Sequence, residues 1–178
     1  LPAALKSYRA FMEIAEHLAE ADPGNAEWQR DLSVSHERIG DVQVAQGDLP
    51  AAVANYRASM EIRTRLAEAD PGNAEWQRDL SVSHIKIGDV QVAQGDRPAA
   101  LKSYRASMEI AERLAEADPG NALWQRDLII SFVRLNEVTG DRTYAQQALD
   151  VALRMQSLGI LAPRDEWMIG ELRRRAGR

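Results

Sequence analysis

The sequence predicts an all-α protein, an α-solenoid of antiparallel helix pairs with a C-terminal capping helix. Three observations predict this fold class. The hexapeptide Ala-Asp-Pro-Gly-Asn-Ala begins at residues 21, 69 and 117, a period of 48 residues. The copies 21–68 and 69–116 are identical at 40 of 48 positions, so they must adopt the same local structure. Within each copy, apolar residues recur at three- and four-residue steps, the spacing of one helical face.

Each repeat is expected to hold two helices. Asp22-Pro-Gly-Asn is a turn, so a first helix should begin near Ala26. Gly47 ends that helix and Asp48 caps the second, which should end near Ala69. A single such hairpin cannot bury its own apolar face, so neighbouring hairpins must stack.

The chain is expected to form a single solenoid domain over residues 1–178. Residues 1–20 align with 49–68, which predicts an orphan second helix whose first helix would lie upstream. The predicted order is the orphan helix 1–20, repeat 1 at 21–68, repeat 2 at 69–116, a shortened repeat 3 at 117–158, and a C-terminal cap at 159–178. In the cap, Trp167, Ile169 and Leu172 are expected to share one apolar side.

Composition narrows the classes of function. The 178 residues include no cysteine, which excludes disulfides and thiolate metal sites. A net charge of −5 disfavours binding to nucleic acid or an anionic membrane, because both require a positive surface. No apolar stretch approaches the roughly 18 residues of a membrane span. A cytoplasmic protein is therefore expected.

The spacing within a repeat resembles that of the tetratricopeptide repeat family. The matching residues of repeat 2 are His84, Ile87-Gly88, Gln91, Gly95-Asp96, Ala100, Tyr104 and Ser107. His stands where the family prefers Trp, and Gln stands where it prefers Tyr. The 48-residue unit is two heptads longer than the family's 34 residues, so the chain resembles a long-helix bacterial variant over residues 1–158.

This resemblance implies that first helices line a concave face that contacts a partner. The implied positions are Val34, Glu37, Arg38, Asp41, Val44, Val82, Ile85, Lys86, Asp89, Val92, Ile130, Val133, Arg134 and Glu137. Glu27, Arg30 and Asp31 extend the same face toward the N-terminus. Two interpretations remain open. The valines pack between adjacent first helices beneath a solvated wall, or they floor a groove with acidic margins that binds an apolar peptide or helix carrying basic residues.

The polar residues do not predict catalysis, a cofactor or a metal. His36 and His84 are one repeat apart and Phe132 takes the third place, which favours packing, while His17 is expected on a solvated flank. The column Asp41, Asp89 and Glu137 is expected to be solvated charge. Trp28, Trp76 and Trp124 are expected to anchor the packing, and Gly40 and Gly88 to let helices approach closely.

The predicted function is therefore a non-enzymatic scaffold for protein interactions, a docking or sensor module of a larger bacterial protein. The alternative is a module for self-association. The orphan helix would expose an apolar stripe made of Ala3/Ala4, Tyr8, Phe11/Met12, Ile14 and Leu18.

Overall fold

The computed structural model describes residues 2–177, and side chains from residue 5 onward. Within this part the regular structure consists of α-helices and one 3-10 turn, Pro163–Asp165. The helices are α1 Pro2–Ala21, α2 Ala26–Gln46, α3 Leu49–Ala69, α4 Ala74–Ala93, α5 Arg97–Ala117, α6 Ala122–Thr139, α7 Arg142–Ser157 and α8 Trp167–Ala176. The all-α fold class is confirmed.

The chain forms two compact units, Leu1–Asp96 and Arg97–Arg178. In the first unit, α1 packs on α2, α2 on α3, and α3 on α4. In the second, α5 packs on α6, α6 on α7, and α7 on α8. Each helix therefore buries its apolar face against helices that are adjacent in sequence, as the repeat predicts.

The predicted turn before each first helix is confirmed. The Asp22 carboxylate accepts a hydrogen bond from the backbone N–H of Gly24. The Asn25 side chain then caps α2 by accepting from the N–H groups of Glu27 and Trp28. The same bonds recur around Asn73 and Asn121, so identical sequence gives identical local structure.

The connection between the helices of a repeat is also as predicted. Gly47 ends α2 with φ of 80°, a conformation that favours glycine. Asp48 accepts a bond from the N–H of Ala51 and so caps α3. In the third copy Gly140 plays the part of Gly47, and α6 has 18 residues against 21 in α2. The predicted shortening of this helix is confirmed.

One side-chain bond ties each first helix to the second helix that precedes it. The amide of Gln29 donates to the carbonyl of Ala19 at 3.3 Å. Gln77 donates to Ala67 at 3.0 Å, and Gln125 to Ala115 at 2.8 Å. These bonds satisfy carbonyl groups near the C-terminal ends of the second helices, which have no partner within their own helix.

Small side chains let the helices approach closely. A Cβ at Gly40 would lie 2.6 Å from Cε1 of Tyr56, so the ring of Tyr56 occupies the space that a side chain would need. This confirms the predicted role of Gly40, while that of Gly88 stays a prediction. Ser33 and Ser35 of α2 are also buried, and their hydroxyls donate to carbonyls of their own helix.

His36 and Gln43 of α2 belong to one polar bridge. Nδ1 of His36 lies 2.9 Å from Oδ1 of Asn55, and the Asn55 amide donates to Gln43 at 2.9 Å. Asn55 on α3 therefore connects two α2 residues that lie seven positions apart.

The C-terminal cap is helical, but one prediction about it is wrong. Ile169 and Leu172 are buried in the core of the second unit, as expected. Trp167 is 68% exposed. It precedes Ile169 by two residues, which is about 200° around a helix, so it lies on another side of α8. Arg126 of α6 holds the 3-10 turn through a 3.0 Å ion pair with the buried Asp165.

Candidate functional site

The first unit carries the predicted face residues of α2 and α4. Val34, Val82 and Ile85 are half-buried, whereas Val44 and Val92 near the C-terminal ends of the helices are exposed. The half-buried positions fit the interpretation in which valines pack between helices. The exposed ones leave apolar surface for a partner.

Glu37 is held by an ion pair rather than displayed to solvent. The guanidinium of Arg63 on α3 lies 2.6 Å from the Glu37 carboxylate, and Arg63 is only 3% exposed. The same guanidinium donates to the hydroxyls of Ser33 and Ser83 and to the carbonyl of Asp79. Glu37 thus neutralises the buried charge of Arg63, so its carboxylate has little capacity left to bind a ligand.

Asp41 is engaged in the same way. Its Oδ1 accepts from Nζ of Lys86 at 2.6 Å and from the Tyr56 hydroxyl at 2.7 Å. Burial, together with the bond to Asp41, raises the pKa of Tyr56 well above its ordinary value. Arg38 lies 3.9 Å from the other carboxylate oxygen. The expectation of solvated charge is therefore wrong for Asp41, because cations and a phenol from three helices converge on it. Asp89, its equivalent in repeat 2, is not free either.

At the N-terminal extension of this face, the arginine is ion-paired but the acidic residues are exposed. Arg30 bridges α2 to α4, with 2.6 Å to Asp79 and 2.8 Å to Glu75. Glu27 and Asp31 are exposed. Acidic surface that a basic partner could reach therefore lies at the start of α2, rather than at Glu37 and Asp41 as the sequence suggested.

In the second unit, a groove of about 510 Å³ lies between α6 and α8. Its apolar wall on α6 is Ile130 and Val133, and Ile130 is 39% exposed. The opposing wall on α8 is Trp167 and Met168. We call this the α6–α8 groove. It brings together three of the four face residues predicted on α6, Arg134 being the third.

Charged residues at the rim of the α6–α8 groove neutralise one another. Glu137 accepts from Arg175 at 2.8 Å and from Arg134 at 3.0 Å. Partial burial alone would raise the pKa of Glu137, but the two arginines hold it below its usual value. Arg175 also donates to Glu171 on its own helix. The rim is therefore a closed set of ion pairs around an apolar floor.

The α8 wall of the groove was missed by sequence reasoning. The sequence pattern predicts Trp167 on the packed side of the cap and does not connect Arg175 with α6. The sequence does indicate this wall. Trp167, Glu171 and Arg175 follow one another at four-residue steps, which places them on one face of a helix.

The histidines occupy structural positions. His36 and His84 are half-buried, Phe132 at the third position is buried, and His17 is exposed, as predicted. Burial lowers the pKa of His84. In the described part of the chain, no group of three or more His, Asp or Glu side chains is placed to hold a metal ion. None of the helices within residues 2–177 has both the length and the apolar character that crossing a membrane requires.

Comparison with known proteins gives a likeness of fold. The sequence matches no protein-family model and no curated protein. Among solved structures, the crystal structure of BtubC (BKLC) from P. vanneervenii is similar, with a TM-score of 0.58 at 20% identity over 98% of this chain and 71% of that one. The fold is a helical repeat. A de novo designed helical repeat protein, DHR64, aligns with a TM-score of 0.37 at 14% identity, over 99% of this chain and 94% of that one.

Proposed function

We propose that the chain is a tetratricopeptide-like scaffold that binds a protein partner and catalyses no reaction itself. The observation that carries the proposal is the α6–α8 groove. Proteins seldom leave several large apolar side chains facing one open groove unless something binds there. The helical-repeat fold supports the same function, since stacked helix pairs commonly present surfaces to other proteins.

The chemistry of the α6–α8 groove specifies the part of the partner that it would bind. Ile130, Val133, Met168 and the ring of Trp167 offer aliphatic and aromatic contact. Exposed tryptophans are strong anchors in protein interfaces. Because the rim arginines are already paired with Glu137 and Glu171, an incoming charge would gain little there. The groove therefore suits an apolar segment, such as one face of an amphipathic helix.

The first unit carries a candidate binding patch of its own. Val44 and Val92 are exposed apolar positions on α2 and α4. Glu27 and Asp31 provide the acidic charge that basic residues of the partner would contact. Some tetratricopeptide proteins hold a C-terminal carboxylate with a Lys and an Asn of the first helix. The matching positions here are Glu37 and Asp41, then Ile85 and Asp89, so a carboxylate-terminated ligand is disfavoured.

The proposal also covers the larger protein to which the chain would belong, and this part rests on the resemblance to bacterial repeat proteins. Arrays of this kind stand beside signalling or effector domains, so the chain would act as a docking or sensor module in the bacterial cytoplasm. An activity screen of the purified protein with and without divalent metals tests the non-enzymatic part. Activity that disappears on mutating Asp41 would contradict it.

The binding experiment compares variants of the full chain. Wild type, Ile130→Glu and Val44→Glu/Val92→Glu are used to capture partners from host lysate, and each captured protein is then purified and titrated by calorimetry. Leu158→Glu is the matched control, because Leu158 is an exposed leucine at the end of α7. We expect a partner that binds wild type and the control but not Ile130→Glu. Equal binding to all four proteins would remove both surfaces from consideration.

A further inference from the structure

A cavity of the second unit lies between α5, α6 and α7. Its volume is about 440 Å³, which falls in the range of about 300–1,000 Å³ typical of small-molecule sites. Its floor consists of Ala115, Leu128, Phe132 and Val151, and all four belong to the buried core of the second unit. The cavity therefore opens directly onto apolar core side chains. It shares no lining residue with the α6–α8 groove.

Carboxylates stand on two walls of this cavity. Because α6 packs on both α5 and α7, these two helices form the walls on either side of it. Glu112 and Glu116 lie one turn apart on the α5 wall. Asp150 lies on the α7 wall, where it accepts a 2.7 Å hydrogen bond from the neutral amide of Gln146. Since Arg154 is the one cation among the described lining residues, three carboxylates and one guanidinium leave a net charge of −2.

These carboxylates have no counter-ion in the part of the chain that the structure describes. Glu37 lies 2.6 Å from a guanidinium. Among residues 5–177, by contrast, Glu112, Glu116 and Asp150 form no ion pair with a Lys or Arg side chain. Partial burial, followed by the charges of Glu116 and Glu109, raises the pKa of Glu112. The cavity therefore lacks the positive charge that would stabilise its ionised carboxylates.

We propose that this cavity binds a linear aliphatic polyamine, a methylene chain that carries two or more ammonium groups. The methylenes would lie on the apolar floor, where Leu128 and Phe132 offer hydrophobic contact. One ammonium group would pair with Glu112 on the α5 wall and another with Asp150 on the α7 wall. A single ammonium group would leave one wall unpaired, and an anion would be repelled by both walls. This site is separate from the proposed protein-binding surfaces, and either can exist without the other.

The net negative charge is particular to this cavity and is not a property of the repeat. A cavity of about 520 Å³ in the first unit is lined by Gln29, the equivalent of Gln125 in the cavity of the second unit. Its charged lining residues are Arg65 and Asp70, whose charges cancel. Both units therefore have an apolar cavity beside this glutamine, but only the cavity between α5, α6 and α7 has an excess of carboxylates among the described lining residues.

The test titrates spermidine into the full chain by calorimetry at low ionic strength. We expect saturable binding of one molecule, weakened at least about tenfold by Glu112→Gln/Asp150→Asn, because each wall then loses a carboxylate. Glu68→Gln/Glu166→Gln is the matched control, since it removes two exposed carboxylates that lie outside the cavity. This control should bind spermidine as wild type does.

Two other probes separate the chain of the polyamine from its charge. Butylamine has an aliphatic chain with one ammonium group, and Mg²⁺ has two charges without a chain. We expect each to bind wild type at least about tenfold more weakly than spermidine does. NMR locates the ligand, since spermidine should shift the side-chain signals of Leu128, Phe132 and Val151. It should also lower the raised pKa of Glu112, measured while the other charged lining residues are followed in the same titration.

Three results would overturn the proposal. The first is that wild type does not bind spermidine at millimolar concentration. The second is equal weakening by the two double variants, which would mean that spermidine responds only to the overall negative charge of the protein. The third is that Mg²⁺ or butylamine binds as tightly as spermidine. Equal binding of butylamine would reassign the cavity to a single ammonium group, such as that of a lysine side chain.

Discussion

The guanidinium of Arg63 and the carboxylate of Glu37 form a 2.6 Å ion pair in repeat 1, and repeat 2 has replaced both partners. The equivalent residues are Ala111 and Ile85. Only eight positions differ between these copies, and two of the eight meet in this pair. The buried arginine and its carboxylate partner are thus both replaced by apolar residues in repeat 2. Because both differ together, neither copy has one of the two charges without the other.

Removing one partner of this pair should destabilise the protein strongly. Arg63→Ala leaves Glu37 without its counter-ion, and Glu37→Ile leaves Arg63 buried and unpaired. We expect each to lower the free energy of unfolding by about 3 kcal/mol, measured by urea denaturation. The double variant gives both positions the residues that repeat 2 has there and should lie within about 1 kcal/mol of wild type. A double variant as unstable as Arg63→Ala would mean that the bonds of Arg63 to Ser33 and Ser83 dominate instead.

Gly40 should not tolerate a side chain. Gly40→Ala places a methyl group against a ring that the bond to Asp41 holds in place, so the α2–α3 contact must widen. We expect a loss of about 1–3 kcal/mol in thermal or urea unfolding, the usual cost of overpacking. Gly24→Ala, in an exposed turn, is the control for the effect of alanine itself. Equal stability of the two variants would show that Tyr56 moves aside freely.

Stability should depend on pH through His84. Burial lowers the pKa of His84 in the folded state below its ordinary value near 6.5. Between these two pKa values the unfolded chain binds a proton that the folded chain does not. Stability is therefore complete above pH 6.5 and falls as the pH drops toward the folded-state pKa, by at most about 1.4 kcal/mol per pH unit.

His84→Phe should remove this dependence without loss of the fold, because Phe132 already occupies the equivalent position of repeat 3. Urea unfolding at several pH values between 5 and 8 measures how the free energy of unfolding depends on pH. His17→Arg alters an exposed histidine of α1 and serves as the control. An unchanged slope in His84→Phe would assign the pH effect to another group.

The ion pair between Arg126 and Asp165 should hold the C-terminal cap in place. Asp165→Ala leaves the arginine without its carboxylate and frees the 3-10 turn that leads into α8. We expect faster amide exchange in α8, and a loss of about 1–3 kcal/mol from the second unit. Glu166→Ala, at the exposed neighbouring residue, is the control. Unchanged exchange in α8 would show that Ile169 and Leu172 suffice to hold the cap.

Local structure was largely predictable from the sequence because the signals are local. Asn25, Gly47 and Asp48 act on backbone groups within a few residues of themselves, and the 48-residue period repeats those signals in every copy. The small residue Gly40 likewise indicated a close helix contact. Such features depend on residue type and spacing alone.

The charges of the candidate site were not predictable in the same way. Glu37 and Asp41 look like surface acids in α2, and their counter-ions Arg63 and Lys86 come from other helices. The paired differences between the copies were visible in the sequence, but only packing shows that positions 37 and 63 meet. Trp167 differs from these acids, because the helical period of α8 already sets it about 200° from the buried Ile169.

The packing of each helix on its sequence neighbours has a consequence for how the chain folds. Contacts such as those of α2 with α3, or α6 with α7, close loops of only a few tens of residues. The entropy lost before a contact forms is therefore small, and proteins with local contacts fold quickly. A hairpin of two helices can form while a ribosome is still adding the next one, so the order of synthesis is also an order in which the contacts can be made.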